Sequence, residues 1–230
     1  MSREDVIQEE QPVPPGSVLR YSFRERLVHW TAGFSFIYLL LTGLAFWSPW
    51  LFWLAAVFGG GQISRTLHPW VGVIFFIAVC FMYGMWAPQM HFTDTDGKWF
   101  KSIKFYITNQ DEKMPPAGRY NAGQKSLFWF FFYGGLLLLL SGLVLWFTES
   151  LPWSWRYLRY AAILVHASVA LLSIGNFMIH VYMGVFAERG ALNSVIRGWV
   201  TLNFVKRFHP GWYKELVEES ATANDLSRRE

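Results

Sequence analysis

Residues 161–186 read AAILVHASVALLSIGNFMIHVYMGVF, an apolar run interrupted by two imidazoles, His166 and His180. At ~100° per residue, fourteen residues return almost to the same azimuth, so a helix puts both rings on one face. At ~1.5 Å rise per residue the rings stand ~21 Å apart, near opposite sides of a ~30 Å hydrocarbon layer. Neutral imidazole is a good axial ligand for haem iron. One helix with this spacing can hold one side of two stacked haems, provided that other helices bring two more histidines to matching depths.

Composition fits such a helix. Of 230 residues, 53% are hydrophobic and 19% aromatic. Only 16% are charged, against ~25% in soluble domains. The apolar residues gather in long runs, which excludes a soluble core as the main explanation. The first 26 residues are charged and proline-bearing, and the run after them is too long for a signal-peptide core, so no cleavable signal is expected. Cys80 is the single cysteine, which leaves no disulfide framework, no thiolate cluster and no C-x-x-C-H for covalent haem. Thirteen tryptophans, many beside the ends of apolar runs, look like interfacial belts. These features describe an integral membrane protein.

Four runs reach the ~20 residues of a spanning helix: residues 27–47, 67–86, 126–147 and 161–186. Lys and Arg number four before the first run, one in the first loop, six in the middle loop, two in the third loop and seven after the last run. Alternate pieces thus hold seventeen against three, and the positive-inside rule puts both termini and the middle loop in the cytoplasm. The net charge of +4 reflects this sidedness and does not suggest nucleic-acid binding. The expected organisation is a cytoplasmic tail (1–26), a four-helix membrane domain (27–186) and an interfacial cytoplasmic segment (187–230). The expected fold class is an all-α membrane bundle.

Helix direction then sets depth. His29 begins an inward-to-outward helix, whereas His68 begins the return helix at the outer side. His166 lies near the outside and His180 near the inside. Depth pairs His68 with His166 and His29 with His180, giving two bis-imidazole sites, one at each face. A lone His near a helix end is more often a cap or an interfacial residue, but intramembrane ionisable groups are costly and point to function. His91 and His209, in cytoplasmic pieces, are read as ordinary polar residues. Gly33, Gly43, Gly72, Gly134, Gly135, Gly142 and Gly175 can let a flat macrocycle approach the backbone or can serve helix packing. Arg24 and Arg26 can pair with haem propionates or serve as topology charges.

The first loop, with Gly59-Gly60-Gly61, reads as a connection hugging the outer interface. Residues 99–107 alternate lysines with apolar residues, as in a short helix lying on the membrane surface. Residues 192–208 are again amphipathic with basic ends, and the polar residues from Glu218 onward read as frayed. There is no internal repeat.

Four stretches carry a family likeness: Arg26-Leu27-Val28-His29-Trp30, Leu67-His68-Pro69, Tyr120-Asn121-Ala122-Gly123-Gln124-Lys125, and His166 with His180. His209-Pro210-Gly211-Trp212-Tyr213 adds to it. The chain resembles the gamma, or cytochrome b556, subunit of membrane-bound respiratory formate dehydrogenase from about Arg24 to Tyr213. The histidine pattern is shared with dihaem subunits of hydrogenases and thiosulfate reductases, and the Tyr120–Lys125 stretch is the more specific signal.

The resemblance implies a bundle in the bacterial inner membrane holding two haems b with the pairings that depth provides. It implies an iron–sulfur beta subunit on the outer side and, through it, a molybdenum- or tungsten-containing alpha subunit. It further implies a quinone site (menaquinone or ubiquinone) at the cytoplasmic face, formed by Asn121, Gly123 and His180, in a complex that can oligomerise further. An N-terminal amide and free N–H groups of a helix suit a quinone carbonyl, and Asn121 equally suits an N-cap. Gln124 and Lys125 are candidate proton relays. The segment before Arg20 departs from the family pattern.

The reading is thus a transmembrane electron wire of anaerobic respiration, the quinone-reducing end of a larger enzyme. The same wire in a hydrogenase or another molybdoenzyme is the near alternative. A haem-free histidine transporter lacks support from inverted repeats or broken helices, and a purely structural anchor needs no matched histidines. The orientation is testable. Protease outside intact cells is expected to leave residues 99–125 uncut and to cut them in inverted vesicles; cleavage from outside would overturn the topology.

Overall fold

The computed structural model describes residues 13–108 and 110–227, with side chains to 222. The chain divides into two compact units. One comprises Leu27–Ala87 and Phe128–Ile179; the other comprises the described residues of 1–26, 88–127 and 180–230.

Four long helices pass through the first unit: α1 (Phe23–Trp47), α3 (Gly61–Trp86), α6 (Ala122–Trp146) and α7 (Arg156–Tyr182). Between α1 and α3 lies the single turn α2 (Leu54–Val57), and α7 ends in a π-helical turn, Met183–Ala187. Each long helix is long and apolar enough to cross a membrane. Their apolar side chains point largely outward, with Leu164 69% and Met178 66% exposed, which suits lipid and not water. Ala32 and Phe36 of α1 pack against Phe75, Ala78 and Val79 of α3, and Phe131, Phe132 and Phe177 close the core from α6 and α7. Phe36 meets Phe75, Phe131 and Phe177 with ring centroids 5.9, 5.6 and 4.9 Å away, so one aromatic side chain touches all three other helices.

The helices begin earlier than the apolar runs, and for α1 and α6 side-chain caps set the start. Before α1, the Ser22 amide and hydroxyl both donate to Glu25 Oε2 at 2.8 and 3.0 Å, a capping box. Before α6, the Gln124 amide donates to Asn121 Oδ1 at 2.9 Å, and the Asn121 amide donates to Gln124 Oε1 at 3.1 Å. Arg24 and Arg26 consequently lie within α1.

The second unit holds what the sequence did not announce. Strand β1 (Ser17–Leu19) pairs antiparallel with β2 (Trp199–Thr201), in the register Val18 opposite Val200. The amides of Arg20 and Tyr21 both donate to the Gly198 carbonyl, at 2.7 and 2.9 Å. The ladder rests on Val200, Phe204, Val205 and Trp212, packed with Val18 and Leu216.

Three local expectations change. Residues 99–107 form two helices, α4 (Asp94–Lys101) and α5 (Ile103–Ile107). The first starts early because the Thr93 amide and hydroxyl donate to Asp96 Oδ2. It stops where the Ser102 amide is shared between Lys98 and Trp99 carbonyls. Residues 192–208 are not one helix but α8 (Ala191–Ile196), β2 and α9 (Leu202–Phe208), interrupted at Gly198, whose φ is +93°. The tail is helical as α10 (Pro210–Ser227), with its first turn tied to the Ala117 carbonyl by a 2.9 Å bond from the Gly211 amide.

Gly198 offers a clean test. A Cβ there would lie 2.7 Å from the Tyr21 carbonyl oxygen, on a φ that side chains avoid. Gly198→Ala is expected to destabilise the unit by about 1–3 kcal/mol, read as earlier heat-induced loss of folded complex. Gly97→Ala, on an ordinary helical backbone with open space around it, is the control and should not do so.

Candidate functional site

Within the helical unit, α3 and α7 bring His68 and His166 opposite one another, ring centroids 6.5 Å apart and planes inclined by 56°. Two imidazoles binding one metal from opposite sides through bonds of about 2 Å have centroids about 6 Å apart. The hydrogen bonds settle which nitrogens are available. The Thr42 hydroxyl donates to the Tyr38 carbonyl at 2.7 Å, so its oxygen accepts from His68 Nδ1–H at 2.7 Å. The Ser141 hydroxyl donates to the Leu137 carbonyl at 2.6 Å and accepts from His166 Nδ1–H at 3.0 Å. In both rings the proton sits on Nδ1, and Nε2 keeps its lone pair for a metal.

The residue after each hydroxyl is glycine. A Cβ on Gly43 would meet His68 Cε1 at 3.7 Å, and one on Gly142 would meet His166 Cε1 at 3.3 Å. Among the described residues no group of three or more His, Cys, Asp or Glu is placed to hold a metal ion. Two opposed imidazoles suit an iron whose other ligands come from a macrocycle, not a four-ligand protein site.

The remaining candidates occupy the two units separately. His29, on α1 in the helical unit, sets its ring edge-on to Trp30 at 5.6 Å. His180, near the end of α7, belongs to the other unit. There Asn121 caps α6 with its Oδ1, which leaves its amide N–H groups as donors. One of them points at Glu188 Oε1 at 3.5 Å. Gly123 lies beside the Trp99 ring; a Cβ would meet it at 3.2 Å. Gln124 is occupied by the capping box. Lys125 Nζ donates to Asp96 Oδ2 at 2.7 Å in a buried ion pair, and to the His91 carbonyl at 3.0 Å. Burial works against the Asp96 charge, but the bonds from Lys125 and Thr93 outweigh it and hold its carboxyl below the usual range. Arg26 donates to the Ile196 carbonyl at 2.6 Å, and Arg24 is exposed.

His209 is fully buried. Burial and the neighbouring Arg20 charge push its pKa well down, so it is a neutral ring. Its Nδ1–H donates to the Gly118 carbonyl at 2.9 Å while Nε2 accepts from Arg20 at 3.0 Å. It is a structural histidine. Thr42, Ser141, Tyr106 and Glu188 are the polar residues that sequence reasoning missed. The first two had a signal, a hydroxyl beside a glycine on an apolar helix. Tyr106 and Glu188 are 82 positions apart and had none.

Residues 20–198 match the profile of the prokaryotic cytochrome b561 family. The chain belongs to that family. It is 32% identical, over 89% of its own length and 94% of the relative's, to the cytochrome b556(Fdn) subunit of the nitrate-inducible formate dehydrogenase of Escherichia coli K12. To the cytochrome b556(fdo) subunit of the same organism it is 34% identical, over 87% and 93%. To the formate dehydrogenase cytochrome b556 subunit of Haemophilus influenzae it is 31% identical, over 87% and 84%.

A cytochrome b implies haem b, and the His68–His166 pair fits one: the rings are opposed, their Nε2 atoms are bare, and Gly142 stands where a side chain would crowd the His166 ring. Thr42→Val and Ser141→Ala keep helix and volume but remove the Nδ1–H acceptor. Each is expected to weaken haem retention at this pair by about 10- to 100-fold, measured as the rate of haem loss to an apoprotein acceptor.

Proposed function

We propose that this cytochrome b is the membrane-anchoring subunit of a formate dehydrogenase, carrying electrons between an outer iron–sulfur subunit and quinone at the cytoplasmic face of a bacterial inner membrane. The reading is carried by the opposed His68–His166 pair in a chain that aligns along 84–94% of formate dehydrogenase b556 subunits. His68 and His166 hold the outer haem. A second haem on His29 and His180 is supported by sequence depth, and both termini lie in the cytoplasm by the seventeen-to-three charge asymmetry. The partners are the iron–sulfur subunit and a molybdenum- or tungsten-containing catalytic subunit, since no metal-holding cluster of His, Cys, Asp or Glu is found among the described residues.

Bound haem supplies one-electron transfer, and two imidazoles per iron leave no open position for oxygen. The protein's part is to fix the imidazoles and keep water out. A charge crossing the layer is linked to ~2.3 kcal/mol per 100 mV, so the crossing stores redox energy as potential. At the quinone end, Asn121 Nδ2 and the Ala122 and Gly123 amides, at the start of α6, donate to a quinone carbonyl and favour the negative charge developing on it. Gly123 lets the Trp99 ring pack against this turn.

A reduced-minus-oxidised visible spectrum with a haem-to-protein count is the test, on wild type, His166→Ala and His180→Ala. Two b-type haems per chain, a different one lost in each variant, is the expected result. No haem, or one haem indifferent to both changes, would overturn the reading.

A further inference from the structure

Glu188 stands outside everything assigned so far. It follows the π-helical turn that closes α7, and it is only 4% exposed. Tyr106 of α5 donates to its Oε1 at 2.6 Å, and Asn121 Nδ2 reaches the same oxygen at 3.5 Å. Trp99 holds the Tyr106 ring, centroids 4.9 Å apart. The charged groups around the carboxyl are Arg20, which favours its ionised form, and Asp111, which opposes it. It has no salt-bridge partner among the described residues. Burial dominates and pushes its pKa up. Burial and the nearby Glu188 carboxyl raise that of Tyr106 as well, so the phenol stays protonated and acts only as a donor.

We propose that Glu188 is the proton store of the quinone site, an inference that rests on Asn121 being a quinone contact. The Asn121 amide nitrogen that reaches the carboxyl carries two hydrogens and would also donate to the quinone oxygen. Since Oε1 takes both donors, the proton of the neutral acid sits on Oε2. Quinone reduction consumes two electrons, delivered through b haem, and two protons. As electron density builds on the quinone oxygen, the Glu188 O–H bond breaks and a quinone O–H bond forms. The carboxylate left behind is steadied by Tyr106, Asn121 and Arg20, and regains a proton from cytoplasmic water. The second proton follows the same route after that reloading.

The test uses the intact complex with formate as reductant and menadione as the quinone. Glu188→Gln keeps the oxygen that accepts from Tyr106 but cannot give up a proton. It is expected to slow menadione reduction by about 10²- to 10⁴-fold while haem reduction by formate stays at the wild-type rate. It should also remove the carbonyl stretch of a neutral carboxylic acid from the redox-difference infrared spectrum. Tyr106→Phe is the milder variant. It removes a bond that favours the carboxylate, so the alkaline limb of the pH–rate profile is expected to move to higher pH. Wild-type rate and pH profile in Glu188→Gln would overturn the proposal. Asn121→Leu separates the two readings. If it impairs menadione reduction while Glu188→Gln does not, only the proton store is wrong. If neither variant matters, the quinone site itself is elsewhere.

Discussion

An imidazole inside hydrocarbon must find an acceptor for its N–H, and no water is at hand to provide one. The helical unit meets this demand with hydroxyls already committed to their own helices. Thr42 and Ser141 each donate to a carbonyl four residues back, so towards a histidine they can only accept. That single restriction fixes the tautomer, aims the bare Nε2 and sets the register of α1 against α3 and of α6 against α7. Gly142 is a consequence, because a Cβ there would press on the His166 ring at 3.3 Å. The aromatic core around Phe36 then holds the four helices at the distance those two bonds require.

The other unit solves a different problem, the burial of charge. The Arg20 guanidinium, 3% exposed, donates to His209 Nε2 and to the Arg119 carbonyl. The rings of Tyr120, Phe204 and Trp212 lie 5.6–5.8 Å from it. Cation–π attraction and hydrogen bonds thus replace its lost water. Arg119 returns a bond to the Arg20 carbonyl. Asp96 and Lys125 form a second buried pair and tie the start of α4 to the start of α6. Truncating one partner of such a pair costs far more than replacing both, which makes these residues anchors for the segment that carries Asn121.

How much of this was readable from residues alone follows from range. The four apolar runs, and the facing of His68 and His166, come from periodicity and length, which are local. The helix starts are also legible, in Ser22-x-x-Glu25, Thr93-x-x-Asp96 and Asn121-x-x-Gln124, as caps that hydropathy alone does not register. The β1–β2 ladder was not legible. Three-residue strands 180 positions apart leave no alternation to see, and the segment before Arg20 looked featureless because its partner is so distant. His209 and Glu188 are similar cases. A buried histidine and a buried glutamate each look like surface residues until the chain brings Arg20, Tyr106 and Asn121 beside them.

The division of labour between the units has a physical reason. The four apolar runs contain no Lys, Arg, Asp or Glu, and the polar groups placed around His68 and His166 are neutral hydroxyls. Electron transfer between fixed ligands asks for that environment, since a titrating group in the hydrocarbon would be costly and would couple each electron to a proton at the wrong depth. Proton chemistry asks for the opposite, acids and cations close enough to steady one another when a proton leaves. Arg20, Tyr106, Asn121 and Glu188 form such a cluster, and all of them belong to the unit that also contains His180. Keeping Lys, Arg, Asp and Glu out of the four apolar runs would let electrons cross the layer without protons, and the proposed quinone chemistry would meet its protons at the Arg20–Tyr106–Glu188 cluster.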